Sequence, residues 1–209
     1  MRNKRGTLLI ISGPSGAGKS TVIQEVFKRR KNIYFSVSCT TRPPREGEQD
    51  GVNYYYISNE KFEDMVRQGA FLEHAGYVDH YYGTPLKPVE DNLNAGRDVI
   101  LDIEVQGAEI VRQKMPEALS CFLIPTSFSE LERRLRSRES ESEADIQRRL
   151  ARAREEYRQI PRYDYLIVND FAERAAEDVC AILQAASCRV SQCSEFLEER
   201  SDYEAICNE

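Results

Sequence analysis

The sequence predicts an α/β fold, a parallel sheet with helices on both faces, interrupted by an inserted lobe. Three observations predict it. Short apolar runs bounded by glycine, proline or polar residues alternate with segments of helical periodicity along most of the chain. A glycine-rich turn, "GPSGAGKS" (Gly13–Ser20), joins the first such run to the first such segment. A proline- and tyrosine-rich section, about 36–90, breaks the alternation with short strands and turns.

The run "GTLLII", Gly6–Ile11, is short, apolar and bounded by glycine, as a buried strand should be. Lys19–Arg30 carries Val22, Ile23, Val26 and Phe27 at helical spacing. Tyr34–Val37 is a second strand leading into a proline loop. "VNYYYIS", from Val52, alternates in strand fashion, with Tyr54 and Tyr56 on one face and Tyr55 on the other. Glu60–Gly69 is a short helix ended by its glycine. Asp98–Val105 and Leu119–Pro125 are further buried strands. Residues 128–158 are helical and arginine-rich, with a break near Ser137–Asp145. Tyr165–Asp170 is the last strand and Phe171–Ser187 the last helix. Beyond Ala186 the chain turns polar and acidic.

A length of 209 residues suits one domain, or one domain with an inserted lobe, and can bury a core without disulfides or metal. A net charge of −6 argues against a general binder of nucleic acid or membrane, so any basic site must be local. The basic start followed by Leu8–Ile11 imitates a signal peptide, but the apolar run is too short and Gly13-Pro14 ends it. Cytoplasm is the expected compartment. Six cysteines lie scattered without a C-x-x-C, and His74 and His80 have no ligand spacing to them. Free thiols are expected, not zinc.

Gly13, Pro14, Ser15, Gly16, Ala17, Gly18, Lys19 and Ser20 match G-x-x-x-x-G-K-[ST] between a strand and a helix. Backbone N–H groups of such a loop close around phosphate, and the helix N-terminus adds its positive end. Lys19 would reach the β- and γ-phosphates and Ser20 would offer its hydroxyl to magnesium. The chain is therefore expected to bind a nucleoside triphosphate. "SCTTRPPREGE", Ser38–Glu48, sets Arg42 and Arg45 on either side of a proline pair, in a loop too rigid to fold them along a helix. Their forks suit phosphate. Tyr54 and Tyr82 would add hydroxyls to that phosphate or a ring face to a base. A carboxylate at Glu73 complements the adjacent N1–H and N2 donors of guanine, where adenine presents an acceptor; a surface acid is the plain alternative. Thr84 would donate to the guanine oxygen. A small chain with such a lobe suggests a kinase for a small acceptor.

Asp102 and Glu104, two apart on a predicted strand, would share a face at its carboxyl edge, where α/β ligands bind. Asp102 is assigned to the waters around magnesium and Glu104 to the acceptor nucleotide. Residues 131–158 hold nine arginines and seven acids, and Arg134 and Arg138 face one way beside a Leu131/Leu135 stripe.

In order and spacing, the phosphate loop, "SCTTRPPREGE", "VNYYY", "FLEHAGY", "HYYGTP" and "ILDIEVQGA" resemble the guanylate kinase family from about Arg5 to Ala186. The resemblance implies a P-loop NTPase-type parallel sheet flanked by helices, with an inserted mixed α/β GMP-binding lobe and a helical lid. Its parts would be a core (5–35, 91–127 and 159–186), the lobe (36–90) and the lid (128–158), with a tail at 187–209. It implies transfer of phosphate from ATP to GMP, and to dGMP, with magnesium. Ser38, Arg42, Arg45, Tyr54 and Tyr82 resemble the ligands of the GMP phosphate, and Glu73 and Thr84 the guanine readers. Arg134, Arg138 and Arg149 resemble the lid arginines. Asn169 resembles the adenine-side position, though it fits a strand-ending turn equally. Glu139 departs from a position where glycine is common, which bears on lid motion, and His80 from one where asparagine is common. A catalytically inactive binding module of the same fold is the alternative, but such modules typically have a degraded phosphate loop and here Lys19 and Ser20 are intact. No partner beyond the two nucleotides is expected, and the chain should act as a monomer or homodimer.

Overall fold

The computed structural model describes residues 5–77, 79–137 and 142–190. In chain order the elements are β1 (Leu8–Ser12), α1 (Lys19–Arg29), β2 (Ile33–Phe35), β3 (Cys39–Thr40), β4 (Tyr55–Tyr56), α2 (Asn59–Arg67), β5 (Phe71–Tyr77) and β6 (His80–Pro85). There follow α3 (Leu86–Asn94), β7 (Asp98–Asp102), α4 (Val105–Lys114), β8 (Leu119–Pro125), α5 (Phe128–Arg136), α6 (Glu143–Tyr157), β9 (Tyr165–Asn169) and α7 (Ala172–Ala186). A single 3₁₀ turn, Ile160–Arg162, precedes β9.

The central sheet has the order β2-β7-β1-β8-β9, and every pairing is parallel. Its inner strands β1, β7 and β8 are buried on both faces, which is why they read as continuous apolar runs. The two-residue period assigns the faces. Leu9 and Ile11 of β1 point to Val22 and Val26 of α1 and Val179 and Leu183 of α7. Leu8 and Ile10 point the other way, to Val89 and Leu93 of α3 and Ala108 and Val111 of α4. A third apolar cluster, Leu131, Leu135, Ile146 and Leu150, joins α5 to α6. Ser142 caps α6, its Oγ accepting from the Asp145 N–H at 3.2 Å.

The second sheet, β4-β3-β6-β5, pairs β6 antiparallel to β3 and β5 and β4 parallel to β3. Phe62 of α2 covers it, stacked on Phe71 with centroids 4.7 Å apart. The strand expected over "VNYYYIS" shrinks to Tyr55–Tyr56, because its partner β3 has only two residues and a turn tied by Gly51 N–H to Tyr54 C=O (2.8 Å) takes up what precedes it. Tyr54 and Tyr56 nevertheless share a face, with centroids 6.0 Å apart.

One expectation is corrected outright. The strand from Asp98 stops at Asp102, and Glu104 is the residue that precedes the first turn of α4. Val105 opens a helix in spite of its β-branched side chain, since the apolar face Ala108/Val111 packs on the sheet. Among the described residues no helix is long and apolar enough to cross a membrane.

Because all five strands of the central sheet run one way, the ends Ser12, Asp102, Pro125 and Asn169 lie along one edge. The Ser12 hydroxyl donates to the Ile103 carbonyl at 2.7 Å and ties two of those ends together. At the opposite edge Asp98, 8% exposed, accepts from the Thr7 N–H and from Arg30, each at 2.9 Å. Replacing Asp98 by alanine leaves the buried Thr7 N–H without that acceptor and Arg30 without its carboxylate. The expected loss is about 1–3 kcal/mol of unfolding free energy, read from urea titrations at unchanged m-value.

Candidate active site

The loop between β1 and α1 bends back over the carboxyl edge. Gly13 takes φ 149°, and a Cβ there would fall 2.2 Å from the Leu123 carbonyl oxygen, so only glycine fits beside β8. Within the loop Ala17 N–H donates to Pro14 C=O at 3.1 Å. Lys19 Nζ donates back to Gly13 C=O at 2.7 Å and stands 3.8 Å from Asp102 Oδ1. The Ser20 hydroxyl-bearing side chain is exposed at the start of α1.

Two hollows flank this loop. The first, about 310 Å³, is lined by Gly13, Ser15 and Lys19, by Ser38, Arg42, Arg45, Tyr54, Glu73 and Tyr82 of the second sheet and its loops, and by Asp102 and Glu104. Arg149, Arg152 and Glu156 of α6 close it. The second, about 350 Å³, is lined by Gly16, Gly18, Ser20, Arg134 and Asn169 among others. Most of the residues expected at a site thus meet in these hollows. Arg138 and Glu139 lie outside the described residues, as does the tail from 191 onward.

Asn169 is placed by its amide, which donates to the Ala17 carbonyl at 2.8 Å while 4% exposed. Arg134 donates to the same carbonyl at 3.3 Å, to the Asn169 carbonyl at 3.2 Å and to Glu130 at 2.8 Å. Both residues therefore brace the phosphate loop from the side of the second hollow. Arg149 of α6 meets it from the first, with Nη1 3.2 Å from Ser15 Oγ.

On the other wall, Arg42 Nη2 pairs with Glu48 at 2.9 Å. Glu48 also accepts from the Arg45 N–H at 2.7 Å and from the Tyr56 hydroxyl at 2.9 Å. These donors, Arg42 first, hold the Glu48 carboxyl down at about 2 against the opposing effect of burial. Arg42 lies over the Tyr54 ring at 5.6 Å and the Tyr56 ring at 5.9 Å, so its plane is fixed by aromatic faces as well as by the carboxylate. Burial pushes the Tyr54 phenol up to about 12, which keeps it a donor.

Glu73 sits deeper, 5% exposed, and pairs across the hairpin with Thr84. Burial raises its pKa; the Thr84 hydroxyl, donating at 2.6 Å, works in the opposite direction. Thr84 is fully buried, and its one proton is used on Glu73. In this arrangement the Thr84 hydroxyl orients the carboxylate.

Asp102 and Glu104 do converge on the first hollow, but from a strand end and a loop, not from one strand face. Burial raises both carboxyls, with Lys19 opposing it at Asp102 and Arg152 at Glu104. Arg152 bonds Glu104 directly and Glu156 at 3.0 Å. Sequence reasoning missed Glu48, Tyr56, Arg152 and Glu156. Arg152 carries a signal, since it lies three residues after Arg149 on one helix. Glu48 lies three after Arg45 in the proline loop, but no local pattern says that it turns back on Arg42.

Chemically, the arrangement can hold an anion at the phosphate loop and a second anion between Arg42 and Arg45 in one enclosed space. A buried carboxylate waits at the far end for a partner with adjacent donors.

A family model described as guanylate kinase matches residues 5–186. The guanylate kinase of Caldanaerobacter subterraneus subsp. tengcongensis is 46% identical over 189 residues, spanning 90% of this chain and 92% of its own. That of Thermus thermophilus is 48% identical over 198 residues, spanning 95% of this chain and 88% of its own. The crystal structure of guanylate kinase from Anaplasma phagocytophilum matches with a TM-score of 0.79 at 33% identity, over 96% of this chain and 97% of the other.

The folded Glu48 carboxyl, at about 2, titrates below its ordinary 4.5. Its contribution to stability is therefore complete above the ordinary value and fades as the pH falls toward the folded one. Glu48→Gln should cost about 1–2 kcal/mol near neutrality and less at about pH 3. Urea titrations of both proteins at the two pH values check this; an equal gap at both would rule out the ion pair as its source.

Proposed function

This chain belongs to the guanylate kinase family, and from that premise we propose that its cleft transfers the γ-phosphate of ATP to GMP, yielding ADP and GDP. The observation that carries the reading is the single cavity joining the phosphate loop to Arg42, Arg45 and the buried Glu73. A nucleotide acceptor needs its phosphate near the donor's and its base away from it, and the cavity offers both ends.

In this reading the backbone of Gly13–Ser20 cradles the ATP phosphates and Lys19 reaches the β- and γ-phosphates, leaving its present bond to Gly13 C=O. Asn169 holds the loop on the adenine side. Ser38, Arg42, Arg45, Tyr54 and Tyr82 bind the GMP phosphate. Glu73, oriented by Thr84, accepts from guanine N1–H and the 2-amino group, and Glu104 faces the acceptor. A GMP phosphate oxygen attacks the γ-phosphorus, and the bond to the β–γ bridging oxygen breaks as ADP leaves. No general base is needed, because the attacking oxygen is already ionised. Arg149 and Arg134, with Arg138, stabilise charge on the group in transfer.

The donors available to magnesium are a hydroxyl, Ser20, and a carboxylate, Asp102. Such hard oxygen ligands suit that ion, which usually keeps several waters and few protein ligands. Asp102 would act through the waters of that ion; burial raises its carboxyl and the nearby Lys19 works the other way. Magnesium held by these groups would supply positive charge against the charge gathering on the phosphates. The same reading divides the chain into core, GMP-binding lobe and lid. It takes dGMP as a second acceptor, since it presents the same base and phosphate. Its place is purine nucleotide metabolism, including GMP recycling, in the cytoplasm, as a monomer or homodimer.

The test is ADP formation from ATP and magnesium with GMP, AMP, CMP or UMP supplied separately. Turnover confined to GMP supports the reading; GMP binding without turnover would support the inactive binding module. Arg42→Lys keeps the charge and loses the fork. It is expected to raise KM for GMP about tenfold or more while KM for ATP stays within about twofold. Unchanged GMP affinity would sink the assignment of Arg42.

A further inference from the structure

Gly107 stands in the first turn of α4, buried against the first hollow. Its φ does not lie in the left-handed region, so the backbone does not call for glycine there. Alanine would serve the helix better. What calls for glycine is space. A Cβ on Gly107 would fall 2.6 Å from Glu73 Oε2 and 3.0 Å from Glu73 Cδ, closer than real contacts come.

Glu73 has little freedom to step aside. Its other oxygen, Oε1, accepts from Thr84 at 2.6 Å, and the side chain is 5% exposed. On the same strand the neighbouring Leu72 carbonyl is held by Lys114 Nζ at 2.6 Å, which ties β5 to the far end of α4. A methyl at position 107 would therefore push the carboxylate off Thr84 and into the cavity. Gly107 lies in the uncapped first turn of α4 beside this carboxylate, where the positive end of the helix favours negative charge.

We propose that Gly107 is a specificity-determining positioning residue: its missing side chain is the berth of the Glu73 carboxylate, and through that berth it sets the preference for guanine. The inference rests on the reading of Glu73 as the residue that accepts from guanine.

The informative acceptors are GMP and inosine monophosphate, which keeps N1–H and lacks the 2-amino group that Glu73 would bind. Gly107→Ala is expected to reduce the kcat/KM preference for GMP over inosine monophosphate about tenfold or more. The change should fall mainly on KM for GMP, with KM for ATP within about twofold. In the Glu73→Ala background, where the berth is vacant, Gly107→Ala should alter neither acceptor's kinetics and should leave Tm equal or higher. An undiminished preference in Gly107→Ala overturns the inference. So does a fall in Tm in the Glu73→Ala background as large as that in the wild type, since the clash would then lie elsewhere. That second comparison decides the matter even if Gly107→Ala alone folds poorly. Should Glu73→Ala itself leave the preference intact, the guanine reading of Glu73 fails and this inference with it.

Discussion

Strand β1 is hydrogen-bonded on both edges, to β7 and to β8, and buried on both faces, so its carboxyl end cannot shift without opening the core. That constraint sets the cleft. The phosphate loop springs from the end of β1, Asp102 ends the neighbouring β7, and the Ser12 hydroxyl locks the two by bonding Ile103 C=O. Gly13 then threads against the Leu123 carbonyl of β8 at a distance no side chain tolerates. Three adjacent strands thereby place loop, lysine and carboxylate together before any ligand arrives. Such preorganisation is what charge stabilisation in a water-poor cleft requires.

The charges of the cleft are arranged as couples. Lys19 and Asp102, and Arg152 and Glu104, each join a cation to an acid from a different segment of chain, while Arg42 and Glu48 pair within one loop. Each acid offsets the mutual repulsion of the basic groups gathered in the cleft. The pairing also means that an incoming phosphate meets arginines already oriented by carboxylates, and must compete with them. Glu73 differs, since the Thr84 hydroxyl donates to it and burial works against its ionisation.

Much of this was legible in the sequence, and the reasons differ by element. The buried strands showed because a parallel sheet covered on both faces leaves unbroken apolar runs, as in Leu8–Ile11 and Leu119–Pro125. The phosphate loop showed because its chemistry is local. The hairpin of β5 and β6 did not, since its period-two alternation buries a polar residue, Glu73, and carries Gly76 and Gly83. Helix α4 hid behind valines and a glycine that a strand reading absorbs as easily. Glu48 and the bond from Thr84 to Glu73 were out of reach for a common reason. Each depends on where a side chain turns after the chain has folded, and no spacing rule encodes that.

Helix α6 carries Arg149 and Arg152 on one face, three residues apart, and each reaches a different wall: Ser15 in the phosphate loop and Glu104 at the start of α4. An α-helix of 15 residues is stiff over so short an interval. Its two arginines are thus brought toward their partners together. The helix therefore behaves as a coincidence detector, a lever with two prongs whose full engagement needs both walls in register at once.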